Sequence, residues 1–216
     1  MDWTAQVDAY CERMGPEFWA EPLNALTNLG YLIVGLWTWR RMVHVPLGPA
    51  LSLILVAISV GSFLFHTLAT EWAGLADTAP IGVFILLYLF ALNRYVVGWP
   101  LWAALLGTAA YVPYAALMLP WLDRLPFVQI SNFYWTVPIA LVVYAAALRR
   151  LPLAKGLLAG AVILCVSISL RSVDLLWCES WPLGTHFLWH TINAGMFVVV
   201  LETYRRHCLA AGPAGR

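Results

Sequence analysis

The strongest constraint on this sequence is a series of seven apolar segments, each close to the roughly 20 residues that a helix needs to cross a bilayer. The chain is 62% hydrophobic and 11% charged, whereas soluble domains carry about 25% charged residues. Segments of this length are too long for barrel strands, so we expect an all-α membrane protein with a bundle of seven transmembrane helices. The segments are 22–39, 47–69, 73–92, 97–119, 127–148, 154–176 and 183–204.

The basic residues between these segments predict the orientation of the bundle. Nine of them fall in connections that would share one side: Arg40, Arg41, Arg94, Arg149, Arg150, Lys155, Arg205, Arg206 and Arg216. The opposite side holds only Arg13 and Arg124, together with most of the acidic loop residues. Since cytoplasmic loops are enriched in lysine and arginine, we expect the amino terminus outside and the carboxyl terminus in the cytoplasm. Residues 1–21 would form an outer segment and 205–216 a basic cytoplasmic tail.

The sequence shows no change in composition and no internal repeat, so we expect residues 1–216 to form a single domain. The net charge of +1 and the lack of a basic cluster give no indication of nucleic-acid binding. No obligatory protein partner is indicated either. The first twenty residues lack the basic start and apolar core of a secretory signal peptide. Together with the short connections, this leads us to expect a multi-pass protein of a bacterial inner membrane.

The stretch GTHFLWHTINA, from Gly184 to Ala194, carries two histidines four residues apart. In a helix, residues i and i+4 lie on one face, so His186 and His190 would point at the same spot. Such a pair is a common way for one helix to offer two nitrogen ligands to zinc. The alternative is a pair of core histidines satisfied by hydrogen bonds.

Ionisable residues within apolar segments are costly and usually mark function. In the expected topology, His66, Asp77, Asp174, His186 and His190 all lie at the outer ends of helices. A catalytic zinc site uses three protein ligands and keeps one position open for water. We therefore predict an outward-facing zinc centre held by His66, His186 and His190.

Two further residues near His66 are candidates for catalysis. Ser62 precedes His66 by four residues and would share its helical face, where it could hydrogen-bond a metal-bound water or a developing oxyanion. Asp77 follows His66 by eleven residues and could move a proton between water and a leaving group. The alternatives are helix packing by a small residue for Ser62, and support of a histidine or a helix N-cap for Asp77.

Two pairs of residues have expected structural roles. Arg171 and Asp174 are three apart and could form an ion pair on one helix face, which would position that helix beside the site. Cys11 and Cys178 both fall on the expected outer side, where a disulfide between them is compatible with the topology. The sequence alone does not fix the pairing.

Several stretches resemble the alkaline ceramidases, a family within a wider group of seven-helix membrane hydrolases that includes the adiponectin receptors. The first two are YCER and EPLNALTNLGYL, at Tyr10–Arg13 and Glu21–Leu32. The third is GSFLFHTLATEWAGLADTAP at Gly61–Pro80, similar to the family's serine, histidine and aspartate spacing. The last two are VDLLWCES at Val173–Ser180 and HFLWH at His186–His190. Their order and internal spacing are what make the resemblance specific.

The resemblance implies roles for individual residues. His66, His186 and His190 would hold zinc, Ser62 would assist the water or oxyanion, and Asp77 would be the acid and base. The resemblance also implies a disulfide between Cys11 and Cys178.

Some animal ceramidases bind calcium through an amino-terminal D-W-C-E-x-N pattern. This chain departs from the pattern, since Ala9 and Tyr10 precede Cys11 and Met14 replaces the asparagine. Carboxylate oxygens are the ligands that calcium prefers. The residues that would supply them here are Asp8, Glu12 and Glu21.

The implied activity is zinc-dependent hydrolysis of the amide bond in ceramide or a related N-acyl sphingoid base, giving a fatty acid and a long-chain amine. An ester-cleaving lipid hydrolase with the same zinc site is one alternative. A receptor-like seven-helix protein with structural zinc is another, although a structural site is usually closed by four protein ligands. A transporter would predict broken helices or a continuous polar path, and the sequence has neither.

Overall fold

Helical order begins at Pro22, which occupies the first turn of its helix, where a missing N–H costs nothing. The computed structural model describes residues 2–212, and this part of the chain contains nine α-helices and no strand. Residues 213–216, which include Arg216 and the end of the expected basic tail, lie outside the described residues. The helices are α1 (Pro22–Thr27), α2 (Leu29–Arg41), α3 (Gly48–Leu68), α4 (Glu71–Ala91), α5 (Leu101–Ala109), α6 (Tyr111–Leu122), α7 (Asn132–Ala147), α8 (Leu153–Val173) and α9 (His186–Ala210).

Some of these helices join end to end, so the described chain forms seven helical rods. Only Asn28 separates α1 from α2, and only Ala110 separates α5 from α6. A π-helical turn at Leu92–Val96 extends α4. The seven rods correspond to the seven apolar segments of the sequence, which confirms the all-α fold class.

Five of the rods are long and apolar enough to cross a membrane: Gly48–Leu68, Glu71–Val96, Leu101–Leu122, Gln129–Ala147 and Leu153–Val173. This finding agrees with an integral membrane protein. The rods at Pro22–Arg41 and His186–Ala210 are not among the five. Both carry polar residues of the site described below, which lowers their hydropathy.

The buried face of α3 shows how the bundle is built. Its buried residues Leu51, Leu55 and Ile58 recur every three or four positions, the spacing of one helix face. Leu53 and Val60, on the other face, are exposed. An apolar side chain that points away from the bundle is what lipid contact requires.

The amino-terminal segment crosses one end of the bundle and lies on the turn between α3 and α4. Val7 donates a backbone hydrogen bond to Ala69 (2.7 Å), and the Glu71 N–H donates to Ala5 (3.1 Å). Further along, the predicted disulfide between Cys11 and Cys178 is present and ties the segment to the loop before α9. The segment therefore links α3 and α9, the two helices that carry the predicted zinc ligands, and α4.

Gly61 sets the separation of α3 and α4. A Cβ atom built on Gly61 would overlap the carbonyl oxygen of Ala76, and it would lie 3.1 Å from the Asp77 nitrogen. The contact is with backbone, which cannot rotate away as a side chain can. Gly61 therefore allows the close approach that brings Ser62 and Asp77 together.

We expect Gly61→Ala to destabilise the fold by about 1–3 kcal/mol, because the added methyl group must push the two helices apart. Gly82→Ala is the matched control, since Gly82 is on α4 and a Cβ there meets nothing within 4 Å. The control is expected to be neutral or stabilising by up to about 1 kcal/mol. Unfolding midpoints of the purified variants measure both, and equal midpoints would refute the packing role of Gly61.

Candidate metal centre

Three buried histidines meet at the end of the bundle that the amino-terminal segment covers. His66 lies in the last turn of α3, and His186 and His190 lie in the first two turns of α9. Each offers one ring nitrogen, and these atoms all lie within 4.8 Å of one another. The side chains are almost completely excluded from solvent, with exposures of 0%, 2% and 1%. The predicted three-histidine cluster is therefore present and could hold a metal ion.

The hydrogen bonds of the imidazoles support a ligand role. His66 Nδ1 pairs with Glu21 Oε2 at 2.6 Å, and His190 Nδ1 pairs with Thr27 Oγ1 at 2.9 Å. Buried His66 Nε2 and His186 Nδ1 have no hydrogen-bond partner among the described residues. An unpaired buried polar atom costs about 1–3 kcal/mol, and a metal ion would remove this cost. Histidines that served only as core residues would be expected to have these atoms satisfied.

The histidine cluster has supporting residues that sequence reasoning missed. Glu21 precedes α1 and Thr27 ends it, so this short helix orients two of the three imidazoles. Metal-binding histidines usually donate a hydrogen bond from their other ring nitrogen to a nearby acceptor, which fixes the tautomer and the ring orientation. The signal in the sequence was the run of polar side chains at Glu21, Asn24 and Thr27, at helical spacing in an apolar stretch.

Among the described residues, the three carboxylates considered for calcium do not form a group that could hold a metal ion. Glu12 accepts the backbone N–H groups of Leu23 (2.7 Å) and Asn24 (2.8 Å), at the start of α1. Glu21 is engaged with His66, and Asp8 is exposed. Among the described residues, the group suited to a metal ion is the histidine cluster.

The ionisation of Glu21 suits its role as an acceptor. Burial by itself would raise the pKa of this carboxyl group, but hydrogen bonds with His66, Asn24 and Arg13 lower the pKa below its ordinary value. A carboxylate in this position keeps His66 Nδ1 as the donor and leaves Nε2 with a free lone pair.

Tyr10 covers the cluster from the amino-terminal side. Its ring stacks on His186, with centroids 3.6 Å apart and planes at 21°, and its centroid lies 5.2 Å from that of His66. Arg171 donates to the Tyr10 hydroxyl at 3.3 Å and to Ser131 Oγ at 2.8 Å. Burial raises the pKa of the Tyr10 phenol, so it stays neutral. The sequence analysis placed Tyr10 in the YCER stretch and in the departure from the calcium pattern, and it predicted no role for this residue at the histidines.

Asp174 positions the start of α9. Its Oδ1 accepts the backbone N–H groups of Thr185 (2.6 Å) and His186 (2.8 Å), which have no partner within the helix. Its Oδ2 accepts the N–H of Cys11 at 3.0 Å. Gly184 has φ +62°, and a Cβ there would overlap the Asp174 carboxylate, so this turn requires glycine.

The expected ion pair between Arg171 and Asp174 is wrong. The described residues contain no such pair, because Asp174 lies past the last residue of α8 and turns towards the N–H groups of α9. Arg171 instead lies over the rings of Tyr10, Tyr134 and Trp189, at 5.1–5.9 Å from their centroids.

Ser62 and Asp77 lie side by side next to His66. Ser62 is buried one turn before His66 on α3, and its side chain lies near the Asp77 carboxylate. Asp77 lies in the second turn of α4, whose N-cap is Thr70, so the N-cap alternative for Asp77 is wrong. A hydroxyl and a carboxylate next to a candidate metal ligand can donate a hydrogen bond to an oxyanion and transfer a proton.

An apolar cavity extends from this end of the bundle into its interior. Tyr31 is part of its wall, and its ring centroid lies 5.9 Å from that of His190. Asn193 is among the few polar lining residues, and its buried Oδ1 has no hydrogen-bond partner among the described residues. The apolar wall includes Ile58, Phe84, Leu141, Leu164, Met196 and Phe197.

The chain matches no family model, no curated protein and no solved structure. Its classification therefore rests on the fold and the site. These define an all-helical protein with membrane-compatible helices and a buried cluster of three histidines that could hold a metal ion.

Proposed function

We propose that this protein is a zinc-dependent intramembrane hydrolase that cleaves the amide bond of ceramide or a related N-acyl sphingoid base. The products are a fatty acid and a long-chain amine. The observation that carries the proposal is the three-histidine cluster with unpaired ring nitrogens beside the Ser62–Asp77 pair. The resemblance of the sequence to the alkaline ceramidases supports the choice of the amide bond.

Zinc is the metal that fits this ligand set best. Three neutral imidazoles with a position left for water are typical of catalytic zinc, whereas calcium and magnesium prefer oxygen ligands. His66, His186 and His190 would hold the ion. When bound, zinc would supply Lewis-acid chemistry and lower the pKa of water.

Asp77 and Ser62 would complete the reaction beside the histidines. Asp77 accepts a proton from the attacking water and returns it to the amide nitrogen as the carbon–nitrogen bond breaks. Ser62 donates a hydrogen bond to the carbonyl oxygen as negative charge develops there. One water is consumed, its oxygen goes to the acyl group, and its protons are shared between the acid and the amine.

The cavity supports a lipid substrate. Its lining is almost wholly apolar and adjoins His190, so a hydrocarbon chain could lie in the bundle with its amide at the histidines.

The proposal includes a seven-span topology, with the rods Pro22–Arg41 and His186–Ala210 crossing the membrane beside the five more apolar ones. The amino terminus would be outside and the carboxyl terminus cytoplasmic, as the basic residues predict. The metal centre would then face the outer side of a bacterial inner membrane. The disulfide between Cys11 and Cys178 agrees with an oxidising outer compartment.

A panel of lipids tests the proposed reaction. Purified protein in detergent micelles, loaded with zinc, is given ceramide, a matched O-acyl ester and a phospholipid, and the products are identified by mass spectrometry. We expect fatty acid and free sphingoid base from ceramide at the highest kcat/KM. Cleavage of the ester but not of ceramide would favour the alternative that the protein is an ester-cleaving lipid hydrolase. Zinc binding without turnover of any lipid would favour the receptor-like alternative.

A further inference from the structure

The guanidinium of Arg13 is buried in a cage of oxygen atoms next to the metal centre. Only 4% of its side chain is exposed. Nε donates to Glu21 Oε1 at 2.5 Å, and the terminal nitrogens donate to the carbonyl oxygens of Gly15 (2.9 Å) and His66 (3.0 Å). A buried charge is costly unless it is paired and hydrogen-bonded. Three acceptors from separate parts of the chain show that this site is built for a cation.

Arg13, Glu21 and His66 form a closed ring of contacts. Each oxygen of the Glu21 carboxylate contacts a different residue. Oε1 accepts a hydrogen bond from Arg13, and Oε2 is hydrogen-bonded to His66 Nδ1 at 2.6 Å. Arg13 also holds the backbone carbonyl of His66. The His66 imidazole is thus fixed through its ring and through its main chain, which aims Nε2 at the other two histidines.

We propose that Arg13 is a positioning residue for the metal centre, an internal cation that fixes Glu21 and His66. This inference rests on the proposed function only in that the histidines bind a metal, and it does not depend on the substrate. A carboxylate and two carbonyl oxygens are also ligands that calcium would accept. Because the guanidinium already occupies them, the centre forms without calcium.

The geometry requires arginine rather than any positive charge. A guanidinium is planar and presents five N–H donors in fixed directions, so it can bind three oxygens at once without reorienting. A lysine ammonium is a single point of charge on a flexible stem. Arg13→Lys therefore keeps the charge but cannot hold Glu21 and the His66 carbonyl in the same way.

Zinc affinity of the full chain in detergent micelles tests the proposal. We expect Arg13→Gln to bind zinc about 10- to 100-fold more weakly, the range for loss of a residue that supports a metal ligand. Arg13→Lys should fall between this variant and the wild type. Arg124→Gln is the matched control, since Arg124 is exposed and stacks on Trp121 away from the site. Its zinc affinity should not change.

Coupling between Arg13 and Glu21 separates positioning from general destabilisation. Because Arg13 acts in part through Glu21, the loss of zinc affinity in the double variant Arg13→Gln/Glu21→Gln should be smaller than the sum of the losses in the two single variants. Replacing zinc by cobalt adds a spectroscopic measurement, because the visible absorption of cobalt follows the geometry of its ligands. We expect a shifted spectrum for Arg13→Lys and an unchanged one for Arg124→Gln.

Three results would overturn the proposal: wild-type zinc affinity in folded Arg13→Gln, additive effects in the double variant, or a calcium requirement for zinc binding by the wild type. If Arg13→Gln does not fold, Arg13→Lys is used in its place. A cobalt spectrum identical to that of the wild type in Arg13→Lys would then overturn the proposal. A wild type that binds zinc but hydrolyses no amide defeats the proposed function and leaves the Arg13 comparison intact.

Discussion

Replacing His190 by alanine is expected to abolish zinc binding and lipid hydrolysis together. The substitution removes one of three ligands, and nothing else among the described residues offers a nitrogen at that position. Loss of a residue that merely supports a ligand costs about 10- to 100-fold in metal affinity or activity. Loss of the ligand itself should exceed the upper end of that range. Bound zinc per chain and the rate of fatty-acid release measure the two effects in one preparation.

His207→Ala is the matched control for this experiment. His207 lies on the same helix, α9, but it is not part of the histidine cluster. Its replacement should leave both zinc content and hydrolysis at the wild-type level. If folded His190→Ala kept its zinc, or kept its activity after zinc was lost, the assignment of His190 as a ligand would be wrong.

Asp77→Asn is expected to lower kcat by about 10²- to 10⁴-fold while leaving zinc bound, because general acid–base catalysis supplies a factor of that size. Asparagine has the shape of aspartate and can still pair with the Ser62 hydroxyl, but it cannot accept a proton from water. Steady-state kinetics on a fluorescent ceramide, with zinc content measured on the same sample, give the result. A fall in zinc content equal to the fall in activity would show that Asp77 supports the metal instead.

Glu71→Gln provides the control for Asp77→Asn. Glu71 is an exposed carboxylate at the start of α4, the helix that carries Asp77, and it has no expected role in the reaction. Its replacement removes one negative charge from the same helix and should change kcat by less than about twofold. A loss as large as that of Asp77→Asn would point to the overall charge of the region and not to proton transfer.

Spacing and topology were enough to predict the histidine cluster and the helices. His186 and His190 follow from the i, i+4 spacing of a helix, and His66 follows from its position at the same end of the bundle. The disulfide between Cys11 and Cys178 follows from topology and resemblance. Apolar length placed the helical rods, although two rods are less apolar than expected, since they hold His186, His190, Asn24 and Thr27.

Contacts between distant parts of the chain could not be predicted. Thr27 supports His190 across 163 positions, and Glu21 supports His66 across 45 positions. No periodicity relates such pairs, because they meet only when α1, α3 and α9 pack together. The failed ion pair has a related cause. The i, i+3 rule holds inside a helix, and Asp174 lies just beyond one.

Zinc removal and return is the most direct test of the proposed metal centre. Wild-type protein is assayed for ceramide hydrolysis as purified, after treatment with a chelator, and after addition of one equivalent of zinc, with folding followed by circular dichroism. We expect hydrolysis to disappear with the metal and to return with about one zinc per chain. A folded, zinc-free protein that hydrolyses ceramide at the original rate would contradict the proposed metal centre. A zinc-loaded protein that never hydrolyses ceramide would instead contradict the proposed reaction.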